Sequence, residues 1–202
     1  MEKTKIGVLV SGGGTNLQAL IDFEKDGGLK SGKLSLVISD NPKAYALERA
    51  EKAGIKTAVI CKMDFESRAD FENAVINELE ENGIELIILA GFMTILSANF
   101  TSRYPERIIN VHPSLIPSFC GKGFYGLKVH EAALGYGVKV TGATVHFVNE
   151  IPDGGRIILQ KVVEIEEGDT PEILQKRVME QAEWKILPEA AEIVSECIMH
   201  NK

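Results

Sequence analysis

The chain has 202 residues, 45% of them hydrophobic and 25% charged, which suits one globular domain with a substantial core and requires no second. Its 22 Lys and Arg against 29 Asp and Glu give a formal charge of −7, which excludes a broad basic surface for nucleic acid or anionic lipid, so any phosphate must be held locally. The first apolar run, Ile6 to Val10, is broken by glycines and is too short for a signal peptide or a membrane span, so a cytoplasmic protein is expected.

Apolar runs bounded by turn residues predict strands at 6–10, 34–39, 57–60, 86–90, 108–111, 144–148 and 157–165. Helical patterns lie between the early ones: Leu17, Leu20 and Ile21 at i, i+3 and i+4; 46–53, stopped by Gly54; and Phe71, Ala74, Val75 and Leu79, stopped by Gly83. Alternating strand and helix predicts an α/β fold, a doubly wound and mostly parallel sheet with helices on both faces. Leu86 to Ala90 is continuously apolar, as a strand covered on both faces should be. The last two strands are separated by a short Asp/Pro/Gly stretch, which predicts a hairpin and makes the sheet mixed. Thr170-Pro171-Glu172 starts a helix with Thr as cap and Pro at the first position, and the pattern runs toward Ile198 with an interruption at Pro188.

Several segments carry polar groups with chemical potential. Ser11-Gly12-Gly13-Gly14-Thr15-Asn16 joins the first strand to the first helix, where small residues let backbone N–H groups approach an anion. Leu17 replaces the third glycine of a dinucleotide fingerprint and no GK[ST] follows, so one phosphate fits better than a pyrophosphate. If the strand near 108 extends to His112, its period of two sets Ile108, Asn110 and His112 on one face, with Pro113 ending it. An amide donor, an imidazole and a carboxylate such as Asp153 could together stabilise an oxyanion and move a proton; on these residues alone the plainer account, turn residues satisfying backbone groups, stands first. Gly91 to Leu96 could line a pocket for a flat ligand or simply pack in the core. Arg68 could pair with an anion or be solvated; Cys120 carries no mark of an activated thiol; His130 and His146 read as structural; and Glu183 reads as a surface carboxylate. Cys61, Cys120 and Cys197 lack CxxC spacing and the four histidines lack HxxxH, so neither disulfides nor a metal are implied.

In sequence these segments are similar to the phosphoribosylglycinamide formyltransferases of purine synthesis, over essentially the whole chain. The resemblance rests on SGGGTNLQAL, AGFMTILS, INVHPSLIPSF, TGATVHFVNEIPDGG with IILQ, and AEWKILP. It implies a single domain over 1–202, amino-terminal part for phosphate and carboxy-terminal part for folate, with no room for the added domain of formyltetrahydrofolate hydrolase or methionyl-tRNA formyltransferase. It implies Asn110, His112 and Asp153 as the catalytic trio, Asp153 raising the pKa of His112. Gly14, Thr15 and Asn16 would take the substrate phosphate and Glu183 the ribose hydroxyls; Arg68, Met93, Thr94, Ile95, Leu96, Asn110 and the loop Asn149, Glu150, Ile151 and Pro152 would line the folate site. The implied reaction moves a formyl group from 10-formyltetrahydrofolate, without metal, between small molecules only, in a monomer or weak homodimer. It also places a cis bond at Ile116-Pro117. Three positions depart from the family's pattern: Thr94, where members often carry a basic residue; Pro152, where an aliphatic residue is usual; and the longer glycine-containing loop 118–125. A nucleotide-binding module without catalysis is the distant alternative.

Overall fold

The structure is a computed structural model describing residues 2–201. Seven strands form one sheet in the order β3-β2-β1-β4-β5-β6-β7. They are β1 Thr4–Val10, β2 Gly32–Ser39, β3 Lys56–Val59, β4 Leu86–Leu89, β5 Ile108–His112, β6 Val140–Phe147 and β7 Ile157–Glu164. The first five run parallel; β6 is antiparallel to β5, and β7 to β6. The mixed sheet is therefore the one the hydrophobic pattern predicts.

Helices α1 Thr15–Lys25, α2 Tyr45–Lys52, α5 Leu127–Tyr136, α6 Pro171–Val178 and α7 Trp184–His200 cover one face, while α3 Arg68–Glu81 and α4 Ala98–Arg103 cover the other. Along β4 the side chains divide by parity. Leu86 and Ile88 join the α1/α7 core, and Ile87 and Leu89 the α3/α4 core, all of them buried. That is why the segment has no polar alternation. Removing a side chain such as Ile88 would cost about 2–5 kcal/mol, since both the transfer and the cavity contribute.

Two local readings need correction. β6 starts at Val140 rather than four residues later, because 140–143 pairs with 161–164 of β7. Thr141 and Gly142 hide that pairing in the sequence, yet Gly142 is there because of it: a Cβ would lie 2.0 Å from the Lys161 carbonyl oxygen. The carboxy-terminal helical stretch is interrupted by a π turn at Met179–Glu183, and Pro188 is carried inside α7. A proline ring conflicts with the carbonyl four residues back, here that of Trp184, and the helix widens immediately before that residue.

Gly142 and Gly135 differ in surroundings and predict opposite responses. Gly142→Ala should lose about 1–3 kcal/mol by overpacking against the β7 backbone. Gly135→Ala, in α5 with nothing within 4 Å of the new Cβ, should gain about 0.5–1 kcal/mol. Urea denaturation of the two variants beside the wild type checks both signs.

Candidate active site

The chain leaves β1 toward β2 on one side and returns to β4 on the other, so the crevice at the carboxyl ends of β1 and β4 is the switch point where such sheets bind ligands. The glycine loop sits there. Gly14 caps α1 at φ 69, and a Cβ on it would lie 2.6 Å from that of Ala46. Handedness and room both require glycine. Ala46 N–H donates to the Gly12 carbonyl at 3.1 Å and Arg49 Nε to the Gly13 carbonyl at 2.8 Å, tying the loop's acceptors back to α2. α1 then begins without a side-chain cap, so the N–H groups of its first turn have no intrahelical partner and stand at the positive end of its dipole. Across the crevice Met93 N–H donates to Ser11 Oγ at 2.9 Å.

Thr15 and Asn16 are the first two residues of α1. Asn16 Nδ2 donates to Glu183 Oε2 at 2.9 Å, while its Oδ1 is buried without a partner. Glu183 is buried as well, not on the surface as its residue type alone suggests, and burial pushes its carboxyl pKa up despite the Asn16 bond. Ala182 and Glu183 both face inward, and Glu183 leads into the buried stripe of Ile186, Leu187, Ala190 and Ala191 on α7.

Asn110 and His112 project from the last turns of β5, as the period of two predicts. His112 Nε2–H donates to the Phe119 carbonyl at 2.9 Å, leaving Nδ1 at 3.5 Å from Asp153 Oδ2. Asp153 lies in the loop between β6 and β7 with φ 57, and Gly121 N–H donates to its Oδ2 at 2.8 Å. Its Oδ1 is 3.6 Å from His146 Nε2, which also stands 3.3 Å from Asn110 Nδ2. With Nδ1–H committed to the Phe147 carbonyl at 2.8 Å, Nε2 is the nitrogen that accepts from Asn110 Nδ2. His146 is thus part of the cluster, linking Asn110 to Asp153. The signal that finds it is the β5–β6 register, in which Asn110 pairs with His146 and His112 with Thr144.

The electrostatics modify one expectation. Burial lowers the His112 pKa, and although Asp153 and the Phe119 carbonyl act to raise it, the net shift is downward rather than upward. Burial would raise Asp153, but the His146 contact, the charge of His112 and the Gly121 N–H hold it below the ordinary carboxylate value. His130, fully buried in α5 with neither ring nitrogen partnered, falls to about 4 through burial and the charge of His112. Burial and then Asp153 push the Cys120 thiol up, away from nucleophile character. Among the described residues no group of three His, Cys, Asp or Glu side chains could hold a metal ion.

The turn after β5 is closed by one hydroxyl. Thr144 Oγ1 donates to the Ser114 carbonyl at 2.6 Å and accepts from Ile116 N–H at 3.1 Å and from Gln160 Nε2 at 3.0 Å. Ile116-Pro117 is cis, as expected.

The other predicted site residues fall in two places. Arg68 begins α3, where its Nε pairs with the buried Glu72 at 2.9 Å and its Nη2 donates to the Ile95 carbonyl at 2.7 Å. Met93 and Ile95 are exposed, Thr94 Oγ1 donates to Asp40 at 3.0 Å, and Leu96 turns into the α3/α4 core. Asn149, Glu150, Ile151 and Pro152 form the loop that ends in Asp153, with Asn149 Oδ1 accepting from Ile151 N–H at 2.9 Å. Glu150, Ile151 and Pro152 are exposed.

This fold and site define a class. Residues 4–191 match the family model described as formyl transferase. The phosphoribosylglycinamide formyltransferase of Haemophilus influenzae is 41% identical over 184 residues, covering 91% of this chain and 84% of its own. The solved glycinamide ribonucleotide transformylase 1 of Symbiobacterium toebii superposes with a TM-score of 0.90 at 42% identity, covering 96% of this chain and 89% of its own. The human trifunctional purine biosynthetic protein adenosine-3 is 44% identical over 96% of this chain, which spans 18% of that protein's length. The chain belongs to the phosphoribosylglycinamide formyltransferase family of enzymes.

The Asn16–Glu183 pair predicts a cost to stability. Because the folded-state pKa of Glu183 is raised, its contribution to stability is fully present below the unfolded carboxyl pKa and is lost as pH rises through the folded value. Glu183→Gln removes the buried charge and adds a donor for the Asn16 oxygen, so stability at neutral pH should rise by about 1 kcal/mol or more, with a weaker pH dependence of unfolding. Denaturation from pH 4 to 8 checks this.

Proposed function

We propose that the chain transfers the formyl group of 10-formyltetrahydrofolate to the primary amine of glycinamide ribonucleotide in the cytoplasm. The observation that carries the reading is the meeting of Asn110, His112 and Asp153 at the carboxyl end of the sheet, within the same fold as an uncapped helix start and the Asn16–Glu183 pair. The activity for which the relatives are named supports it. The N–H groups of Gly13 to Asn16 receive the phosphate, and the Glu183 carboxylate accepts from the ribose hydroxyls. Arg68, Met93 to Leu96 and the loop Asn149 to Pro152 receive the folate.

The neutral amine is the nucleophile, so no serine or cysteine need be activated. It attacks the formyl carbon, and the electron pair of the C=O bond moves to oxygen. In the free protein His112 Nε2–H rests on the Phe119 carbonyl and the Asn110 amide on His146. Both donors are occupied by acceptors that a formyl oxygen can replace, and both strengthen as that oxygen becomes charged. The amine loses its proton and N10 of the folate gains one; the oxygen's electron pair then re-forms the C=O bond as the C–N10 bond breaks and its pair leaves with N10. Asp153 favours the imidazolium of His112 during that transfer and relays the proton through water. Because burial lowers the His112 pKa, the carboxylate offsets a cost rather than creating a surplus of charge.

Asp153→Asn removes that offset while keeping the side chain's shape. The pKa of His112 should fall further, and kcat should fall about 10²–10⁴-fold with little change in KM for glycinamide ribonucleotide. Less imidazolium remains in the variant above its own pKa, so the deficit should widen as pH rises from 5 and then level off. Steady-state kinetics from pH 5 to 9, with circular dichroism for folding, measure it. Wild-type kcat in a folded variant would make Asp153 a loop residue only.

A further inference from the structure

A groove of about 400 Å³ runs along α1, and neither Asn110, His112 nor Asp153 lines it. Its floor is one face of the helix: Thr15, Gln18, Ala19 and Asp22, with Phe23 and Asp26 toward the far end. Arg49 of α2 and Trp184, the first residue of α7, complete the lining. From Thr15 to Asp22 the helix rises roughly 10 Å, at about 1.5 Å per residue. The volume falls among those of small-molecule sites, about 300–1,000 Å³.

The chemistry changes along its length. At the Thr15 end stands the uncapped start of α1, with the positive end of its dipole. Arg49 lies beside it. Its Nε donates to the Gly13 carbonyl at 2.8 Å and its Nη1 to Gln18 Oε1 at 2.9 Å, so two of the five guanidinium donors are used and the others remain for an anion. In the middle, Ala19 keeps the floor low, and Phe23 and Trp184 supply aromatic surface. Beyond them Asp22 Oδ1 accepts from Gln18 Nε2 at 2.8 Å, while its Oδ2 has no hydrogen-bond partner among the described residues. An anion-binding end, an aromatic middle and a carboxylate, in that order, suit a nucleoside monophosphate whose base presents donors.

A carboxylate accepts best from two donors set side by side. Guanine is the purine base that offers such a pair, N1–H beside the 2-amino group, whereas adenine places the bare N1 acceptor next to its amine. We infer that the groove along α1 is a binding site for guanosine monophosphate. The phosphate lies on the start of α1 and Arg49, the base against Phe23 and Trp184, and N1–H and the exocyclic amine donate to Asp22. Because Thr15 belongs to both places, the bound nucleotide excludes the phosphate of glycinamide ribonucleotide. That competition rests on the substrate reading above; recognition of the base does not.

Trp184 is the only tryptophan of the chain, so its fluorescence reports on the groove directly. Titration of the whole protein with GMP should quench it saturably, with AMP bound about tenfold more weakly, the scale of one hydrogen bond to a charged group. Ribose 5-phosphate should displace GMP without quenching. Asp22→Asn should remove the preference for GMP over AMP, and Ala19→Phe, which fills the groove, should abolish quenching by GMP. Neither residue touches the proposed substrates, so both variants should keep the wild-type kcat and KM for glycinamide ribonucleotide, with circular dichroism to verify folding. In formyl transfer by the wild type, GMP should raise the KM for glycinamide ribonucleotide and leave kcat unchanged. Absence of quenching, equal affinity for AMP, or quenching that survives in both variants overturns the site. GMP binding that leaves the KM for glycinamide ribonucleotide unchanged overturns the placement of the phosphate, and the nucleotide assignment with it. A wild type that transfers no formyl group yet shows GMP-selective quenching, lost in the variants, overturns the functional reading alone and upholds the site.

Discussion

An ionised carboxylate held among buried groups organises this protein. Asp153 approaches His112 and His146 and takes the Gly121 N–H, so one side chain joins the carboxyl ends of β5 and β6 and the glycine loop after the cis turn. Removing a carboxylate from water costs several kcal/mol unless charge and hydrogen bonds replace the lost hydration. Here the replacements come from three chain segments, and each must be in place for the others to be worth having. The backbone is bent to allow it. Asp153 has φ 57, and the two glycines that follow are confined, Gly155 so tightly that a Cβ would lie 1.8 Å from the Phe147 carbonyl oxygen.

The same arrangement explains the balance around His112. A buried imidazole loses solvation for its charged form, and a nearby carboxylate restores part of it. Asn16 and Glu183 show the related situation at the other end of the crevice, where a buried acid and an unpartnered amide oxygen are less stable together than two well-matched amides would be. Such groups are costly in the folded protein, and they are the ones to which the proposed reaction gives the substrate's hydroxyls and amine.

Much of the architecture was legible because it follows from local periodicity. Both cores are visible in Leu86 to Leu89, where no polar residue interrupts, and the paired projection of Asn110 and His112 follows from the pleat. What escaped needs longer-range information. His146 sits beside Asn110 only because β6 runs antiparallel in one particular register, and a single strand sequence does not contain its partner's alignment. Glu183 continues the buried stripe of Ile186, Leu187, Ala190 and Ala191, but a carboxylate there reads as exposed until its partner Asn16, far away in sequence, is known. The sign of the His112 shift depends on the depth of burial, which residue types alone do not set. The family resemblance supplied Asp153 and Glu183 as candidates; the geometry supplied the partners that give them distinct environments.

The Thr144 hydroxyl stands at a junction of a different kind. One oxygen serves the Ser114 carbonyl, the Ile116 amide and the Gln160 side chain, which belong to a turn and to a strand far apart in sequence. Valine has nearly the same shape, but in its place it would leave the buried Ser114 carbonyl and the Ile116 N–H without the hydroxyl that now serves both. The side chain is therefore interchangeable in volume and irreplaceable in valence: here the fold tolerates a change of size better than a change of a single atom.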